Sequence, residues 1–211
     1  MNEKQFIEKY CQNCGSQRCE GIGTVWFKGC HYKNELDKKY KLGMYLGRFQ
    51  PFHNGHKSIV DKMLEECEQV VIVIGSAQEK GTVKNPFPAW ERANMIAFVY
   101  KDKPVSLVCM PDRLTAGNDS SWGDYVMEYL GSNGYFPDAI YQGIEAERYT
   151  WWNNYPSVAI ENVSRIDIPI SGTIVRAAII EKREDFIKAN CPPEVAEYIL
   201  NSIYWGRDFH E

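Results

Sequence analysis

Two of the chain's four histidines fall in one decapeptide, GRFQPFHNGH, at residues 47–56. Imidazole nitrogens donate hydrogen bonds to anionic oxygens, and His53 and His56 are close enough in sequence to act on one group. Gly47 and Gly55 let the main chain come near a phosphate, since no Cβ stands in the way. A second segment, ISGTIVR at residues 170–176, combines two hydroxyls suited to capping a helix, Ser171 and Thr173, with Arg176. Its guanidinium can grip an anion held at that helix's N-terminus. Both segments suit the binding of a phosphate or another anion. Each alone has a plainer reading, as a helix cap carrying histidines and as an ordinary cap with an exposed arginine.

Such chemistry needs a scaffold that brings distant loops to one edge. From residue 41 onward short β-type runs alternate with helical patterns, which predicts an α/β domain, doubly wound around a mainly parallel sheet. A strand over residues 42–49 hands over to a helix starting near Asn54, with Ile59, Val60, Met63, Leu64 and Cys67 on one face. The histidine loop then lies at the carboxyl end of its strand, where ligands bind in doubly wound folds. The free N–H groups of the helix start favour an anion there. QVVIVIG, residues 69–75, reads as a strand covered on both faces. Pro88 opens a helix that runs to Tyr100. A third strand covers residues 105–110, and Ser121 with Asp124 reads as a capping box for a helix that turns Val126, Tyr129 and Leu130 inward. Strands over 139–142 and 158–163 and helices over 173–181 and 193–204 complete the pattern.

Composition bounds the function. The chain has 211 residues, a formal charge of -4 and a pI near 5.7. That is enough for one domain with an appendage and carries no electrostatic footprint for nucleic acid. No run of about 18 apolar residues offers a membrane span, and residues 1–10 lack the apolar core of a secretory signal, so the expectation is a cytoplasmic protein. Assembly into a homo-oligomer is compatible with the sequence. Residues 1–40 are set apart from the domain at 41–211 as a small Cys-rich module. Four of the seven cysteines, Cys11, Cys14, Cys19 and Cys30, crowd there, with His31 as a spare ligand. Four thiolates suit a closed tetrahedral zinc site; an iron–sulfur cluster and metal-free thiols are the alternatives. Without metal the segment is too short and polar to build a core.

The HxGH loop and the later ISGT–Arg turn together resemble the signature pair of the nucleotidylyltransferase superfamily, with its Rossmann-like fold. GSAQ at residues 75–78 and KNPFPAWER at 84–92 narrow the resemblance to archaeal-type nicotinamide mononucleotide adenylyltransferases. That resemblance covers residues 41–204 and does not reach the cysteines. It implies transfer of AMP from ATP, with Mg²⁺ on the phosphate oxygens, to nicotinamide mononucleotide by in-line attack that expels pyrophosphate. It further implies that His53, His56 and Arg176 are catalytic, and that Gly47, Arg48, Phe49, Gln50, Gly55, Ser171 and Thr173 hold ATP. Ser76, Lys84, Asp112, Asp119, Trp122 and Arg148 would meet the acceptor, Trp122 by stacking on the nicotinamide ring. Lys84 stands where the family usually has arginine, and Trp90 where glycine is common. Trp122 as a core residue and Arg148 as a solvated helix arginine are the plainer readings. Related transferases acting on phosphopantetheine or alcohol phosphates, and a nucleotide sensor without turnover, are the rival functions.

Overall fold

The computed structural model describes residues 38–113, 120–143, 150–164 and 168–206, and the unit from Tyr40 to Glu211 is taken by itself. The cysteines at 11, 14, 19 and 30, with His31, Asp119 and Arg148, lie outside the described residues. Five strands form one sheet: β1 (Tyr40–Gly47), β2 (Cys67–Ile74), β3 (Val105–Cys109), β4 (Ala139–Gly143) and β5 (Ala159–Val163). Their order is β3-β2-β1-β4-β5, and every pairing is parallel. The direction of winding reverses between β1 and β4, which opens a crevice at the carboxyl end of β1.

Six described helices flank the sheet: α1 (Asn54–Glu66), α2 (Ala89–Val99), α3 (Ser120–Ser132), α4 (Gly172–Ile180), α5 (Glu184–Asn190) and α6 (Pro193–Leu200). Alternation along the strands divides the core in two, because successive side chains of a strand point to opposite faces. Tyr45, Val70 and Ile72 join Ile59, Val60 and Met63 of α1, Met95 and Ile96 of α2 and residues of α4, α5 and α6. Met44, Leu46, Val71 and Val73 point the other way, onto Val126 and Leu130 of α3 and onto Trp152. On that second face α3 comes very close to the main chain of Trp151. A Cβ on Gly123 would lie 1.7 Å from the Trp151 carbonyl oxygen, so only glycine fits.

The boundaries differ from the sequence expectation in instructive places. β1 starts and ends earlier than residues 42–49, because Phe49 takes a φ of 51° and turns the chain out of the strand. Cys67 caps α1 and is already the first residue of β2. Its thiol packs where a Gly43 Cβ would be 2.6 Å away. Ser121 lies inside α3 and does not cap it; the Asp124 carboxylate accepts from Asn154 Nδ2 at 3.0 and 2.9 Å. α6 stops at Leu200, short of residue 204. The short α5 escaped the pattern because it buries only Ile187. Its end charges and the Glu184–Lys188 pair at 2.5 Å support it locally.

Candidate active site

The loop after β1 and the helix α1 behind it hold the histidines. His53 is the α1 N-cap through its backbone, with φ -144° and ψ 172°, and its side chain makes no capping hydrogen bond. Its carbonyl accepts from the amides of His56 at 2.8 Å and Lys57 at 3.0 Å, which fixes the first turn. The two rings stack with centroids 3.7 Å apart and planes 22° apart. His56 also meets the edge of Phe49 at 4.9 Å and lies 5.7 Å from Phe52. His53 is 1% exposed. Ring orientation is therefore set by packing. A Cβ on Gly55 would press on His53 Nδ1 at 3.2 Å and on Ile170 Cγ2 at 3.1 Å. Glycine at that position brings the two sequence segments together.

The second segment docks directly on the first. Ser171 caps α4, accepting from the Ile174 amide at 3.4 Å. Arg176 Nη1 donates to the Gln50 carbonyl at 2.9 Å, and Nη2 donates to Thr173 Oγ1 at 3.1 Å. Gly172 permits the approach, since a Cβ there would sit 3.0 Å from the Gln50 oxygen. Gln50, expected on ATP, is buried, and its side-chain amide is engaged elsewhere. Nε2 donates to the Phe87 carbonyl at 2.8 Å and Oε1 accepts from the Phe87 amide at 3.0 Å. That pair ties the histidine loop to the NPF loop. Phe49 is likewise a packing residue, 1% exposed.

Arg92 is the site residue that the motif reading passed over. Its guanidinium is fully buried and donates to the carbonyls of Arg48 at 2.7 Å, Gly75 at 2.8 Å and Ser76 at 3.0 Å. One side chain thus fastens the loops after β1 and β2 to α2. The signal was present in its spacing: Met95 and Ile96 follow at three and four residues, which puts Arg92 on the buried face of the helix. Burial lowers the Arg92 pKa to about 10, with Arg48 acting in the same direction while Cys109 and Asp112 oppose. Burial, then Arg48, lowers the Arg176 pKa too. Arg48 thus opposes the charge of both Arg92 and Arg176, and an anion between Arg48 and Arg176 would relieve that.

The far wall comes from β2 and β3. Asp112 Oδ1 accepts from the Ser76 amide and Oδ2 from Gln78 Nε2, both at 3.2 Å, and the Asp112 amide donates to Gln78 Oε1 at 2.9 Å. Ser76 has a φ of 48°. Lys84 sits exposed on the turn where Asn85 donates to Thr82 Oγ1 at 3.0 Å. Trp122 is half-buried against the α3 core, its ring 5.6 Å from Tyr125 and 5.8 Å from Trp151, and its buried Nε1 makes no hydrogen bond. The structure therefore gathers His53, His56, Arg48, Gln50, Arg176, Ser171 and Thr173, and places Ser76 with Asp112. It seats Trp122 in an aromatic cluster. Trp90 is 61% exposed, and nothing in the structure explains its presence there. Among the described residues, no group of three or more His, Cys, Asp and Glu side chains is placed to hold a metal ion. No described helix is long and apolar enough to cross a membrane.

A family model described as cytidylyltransferase-like matches residues 44–178. The chain is similar to a nicotinamide-nucleotide adenylyltransferase of Thermococcus sibiricus, 33% identical over 164 residues, which are 74% of this chain and 82% of the relative. Two crystal structures of a bifunctional NMN adenylyltransferase/ADP ribose pyrophosphatase from Francisella tularensis share the fold. One superposes with a TM-score of 0.59 at 20% identity. The other, complexed with AMP and a manganese ion, gives 0.55 at 18%. Each match covers 79% of this chain and 51% of the solved one, so the chain spans about half the length of that bifunctional protein.

Proposed function

Because this chain belongs to the cytidylyltransferase-like family and, within it, to the nicotinamide-nucleotide adenylyltransferases, we propose that it transfers AMP from ATP to nicotinamide mononucleotide, giving NAD and pyrophosphate. The observation that carries this reading is the bond from Arg176 Nη1 to the Gln50 carbonyl at 2.9 Å. It closes the α4 N-terminus onto the loop bearing the stacked histidines and so forms one cationic, amide-rich cradle. An oxygen of the acceptor's phosphate forms a bond to the α-phosphorus of ATP as the bond to the β-phosphate bridge breaks, and pyrophosphate leaves with the electron pair. The attacking oxygen is already anionic, so no protein nucleophile or base is needed. The protein aligns the two substrates and stabilises charge on the bridging and leaving oxygens.

In this reading His53 and His56 donate to the ATP phosphates, Arg48 and Arg176 clamp the triphosphate, and the amides at Gly47 and Gly55 and the α4 start, with Ser171 and Thr173, complete the cradle. Ser76, Lys84 and Asp112 meet the acceptor. Trp122 stacks on its aromatic cation, Asp119 meets the carboxamide, and Arg148 binds at the nucleotide. Mg²⁺ enters with ATP on its phosphate oxygens. The remaining proposals are cytoplasmic location and a structural zinc on Cys11, Cys14, Cys19 and Cys30, whose four thiolates form a suitable donor set. Metal analysis that finds no zinc in the purified chain, or zinc undiminished in Cys→Ser variants, overturns the zinc site.

The deciding experiment measures pyrophosphate release from ATP or CTP with nicotinamide mononucleotide, nicotinic acid mononucleotide, phosphopantetheine and choline phosphate in turn. Turnover with ATP and nicotinamide mononucleotide is expected to exceed every other pairing. Preference for CTP, or for phosphopantetheine or choline phosphate, overturns the assignment. Binding without turnover would make the protein a sensor.

A further inference from the structure

A groove of about 700 Å³ runs between α2 and α6 and shares no lining residue with the cluster of His53, His56 and Arg176. α2 contributes Glu91 and Phe98, seven residues apart on one helical face, and α6 contributes Glu194, Glu197 and Tyr198 at the spacing of another. Tyr204, from the turn after α6, also lines it. Among the described residues the lining holds three carboxyl groups and no lysine, arginine or histidine.

Glu91 is the feature that calls for an explanation. It is 8% exposed, and its Oε1 accepts from the Tyr204 hydroxyl at 3.5 Å. Oε2 is buried with no hydrogen-bond partner among the described residues. A buried carboxylate without a counter-charge is destabilising unless something else satisfies it. Its position as the third helical residue is that of a capping-box acid, which would accept from the N-cap amide. The N-cap here is Pro88, which has no N–H, so that role is closed. Arg92, the next residue, turns its guanidinium to the loop carbonyls. Burial raises the Glu91 carboxyl above its ordinary range, and burial, then Glu91 and Tyr204, raise the Tyr198 hydroxyl.

We propose that this groove binds a small organic cation, an ammonium or guanidinium group on an apolar stem, with the charged head on Glu91 and the stem between Phe98 and Tyr198. Glu194 and Glu197 attract the cation at the mouth and repel anions, so the phosphate-bearing substrates of the proposed reaction are excluded. Aromatic walls beside a desolvated carboxylate are the surroundings in which a cationic head with a flat or aliphatic body gains most. The inference goes beyond the adenylyl-transfer reading and does not depend on it.

The test uses the full chain and three probes of one shape: 2-phenylethylammonium, 2-phenylethanol and phenylacetate. Titration calorimetry is expected to show saturable binding of the ammonium, with the alcohol and the carboxylate at least about tenfold weaker. Glu91→Gln is expected to weaken the ammonium by about tenfold or more, with unchanged circular dichroism and unchanged affinity for ATP. The doubly substituted Glu194→Gln, Glu197→Gln protein, altered only on α6, is expected to weaken it in the same sense and decides the matter if Glu91→Gln does not fold. No saturable binding of the ammonium at millimolar concentration overturns the proposal. So does equal affinity for the alcohol, or full retention of ammonium binding in both altered proteins.

Discussion

His53 is held by its neighbours: a stacked partner ring on one side, the Gly55 turn beneath and Ile170 nearby. A side chain oriented in advance loses little freedom when a phosphate arrives, and its hydrogen bond can strengthen as charge builds on the leaving oxygens. His53→Ala is therefore expected to lower kcat by at least about tenfold while the melting temperature moves little. Steady-state pyrophosphate release beside a thermal melt checks both, and near wild-type turnover would remove the imidazole from the mechanism. The two histidines and Arg176 were legible because their residue types are chemically committed and their spacing is short. Gln50 and Arg92 were harder to read. Their importance lies in bonds to main-chain groups 37, 44, 17 and 16 residues away, and sequence spacing carries no trace of such partners.

Elements meet at the site through one side chain more than any other. Arg92 joins α2 to the ends of β1 and β2 through three carbonyls. A lysine keeps the charge but has neither the planar fork nor the span to serve all three. Arg92→Lys is expected to destabilise the fold by about 1–3 kcal/mol, as buried carbonyls lose their donor. It should also raise the KM for ATP, because the loop after β1 is then less well placed. A urea titration and a KM measurement read the two effects separately; an unchanged midpoint with unchanged KM would show the tether to be idle. At this scale the sheet was readable in its hydrophobic runs, and QVVIVIG stands, as expected, on a strand buried on both faces. Element ends were less readable. The positive φ at Phe49 that ends β1 early and the direct passage of α1 into β2 at Cys67 depend on what packs across the sheet.

For the whole molecule, stability should respond to pH through a cluster joining α1 to β4. Glu66 accepts from Lys62 Nζ and from the Tyr141 hydroxyl, both at 2.6 Å. Burial alone would raise the Glu66 carboxyl, but those two hydrogen bonds outweigh it and hold it below its usual value of 4.5. A carboxyl depressed in the folded state contributes stability that is fully present above its unfolded pKa and is lost as pH falls through the folded one. The urea midpoint is expected to fall between about pH 5 and pH 3, and Glu66→Gln should flatten that part of the profile. A wild-type slope in the substituted protein would assign the acid sensitivity to other groups.

Arg48 acts electrostatically on both Arg92 and Arg176, and those two are anchored to main-chain oxygens. A fixed positive field of this kind does not wait for its substrate, and it cannot tell ATP from any other multivalent anion that fits. Sulfate or added pyrophosphate should compete for the empty enzyme, raising the apparent KM for ATP while leaving kcat at saturation unchanged. The same field would slow the departure of the pyrophosphate that each cycle makes. In the forward direction, how quickly the enzyme empties would then set its pace as much as how quickly it reacts.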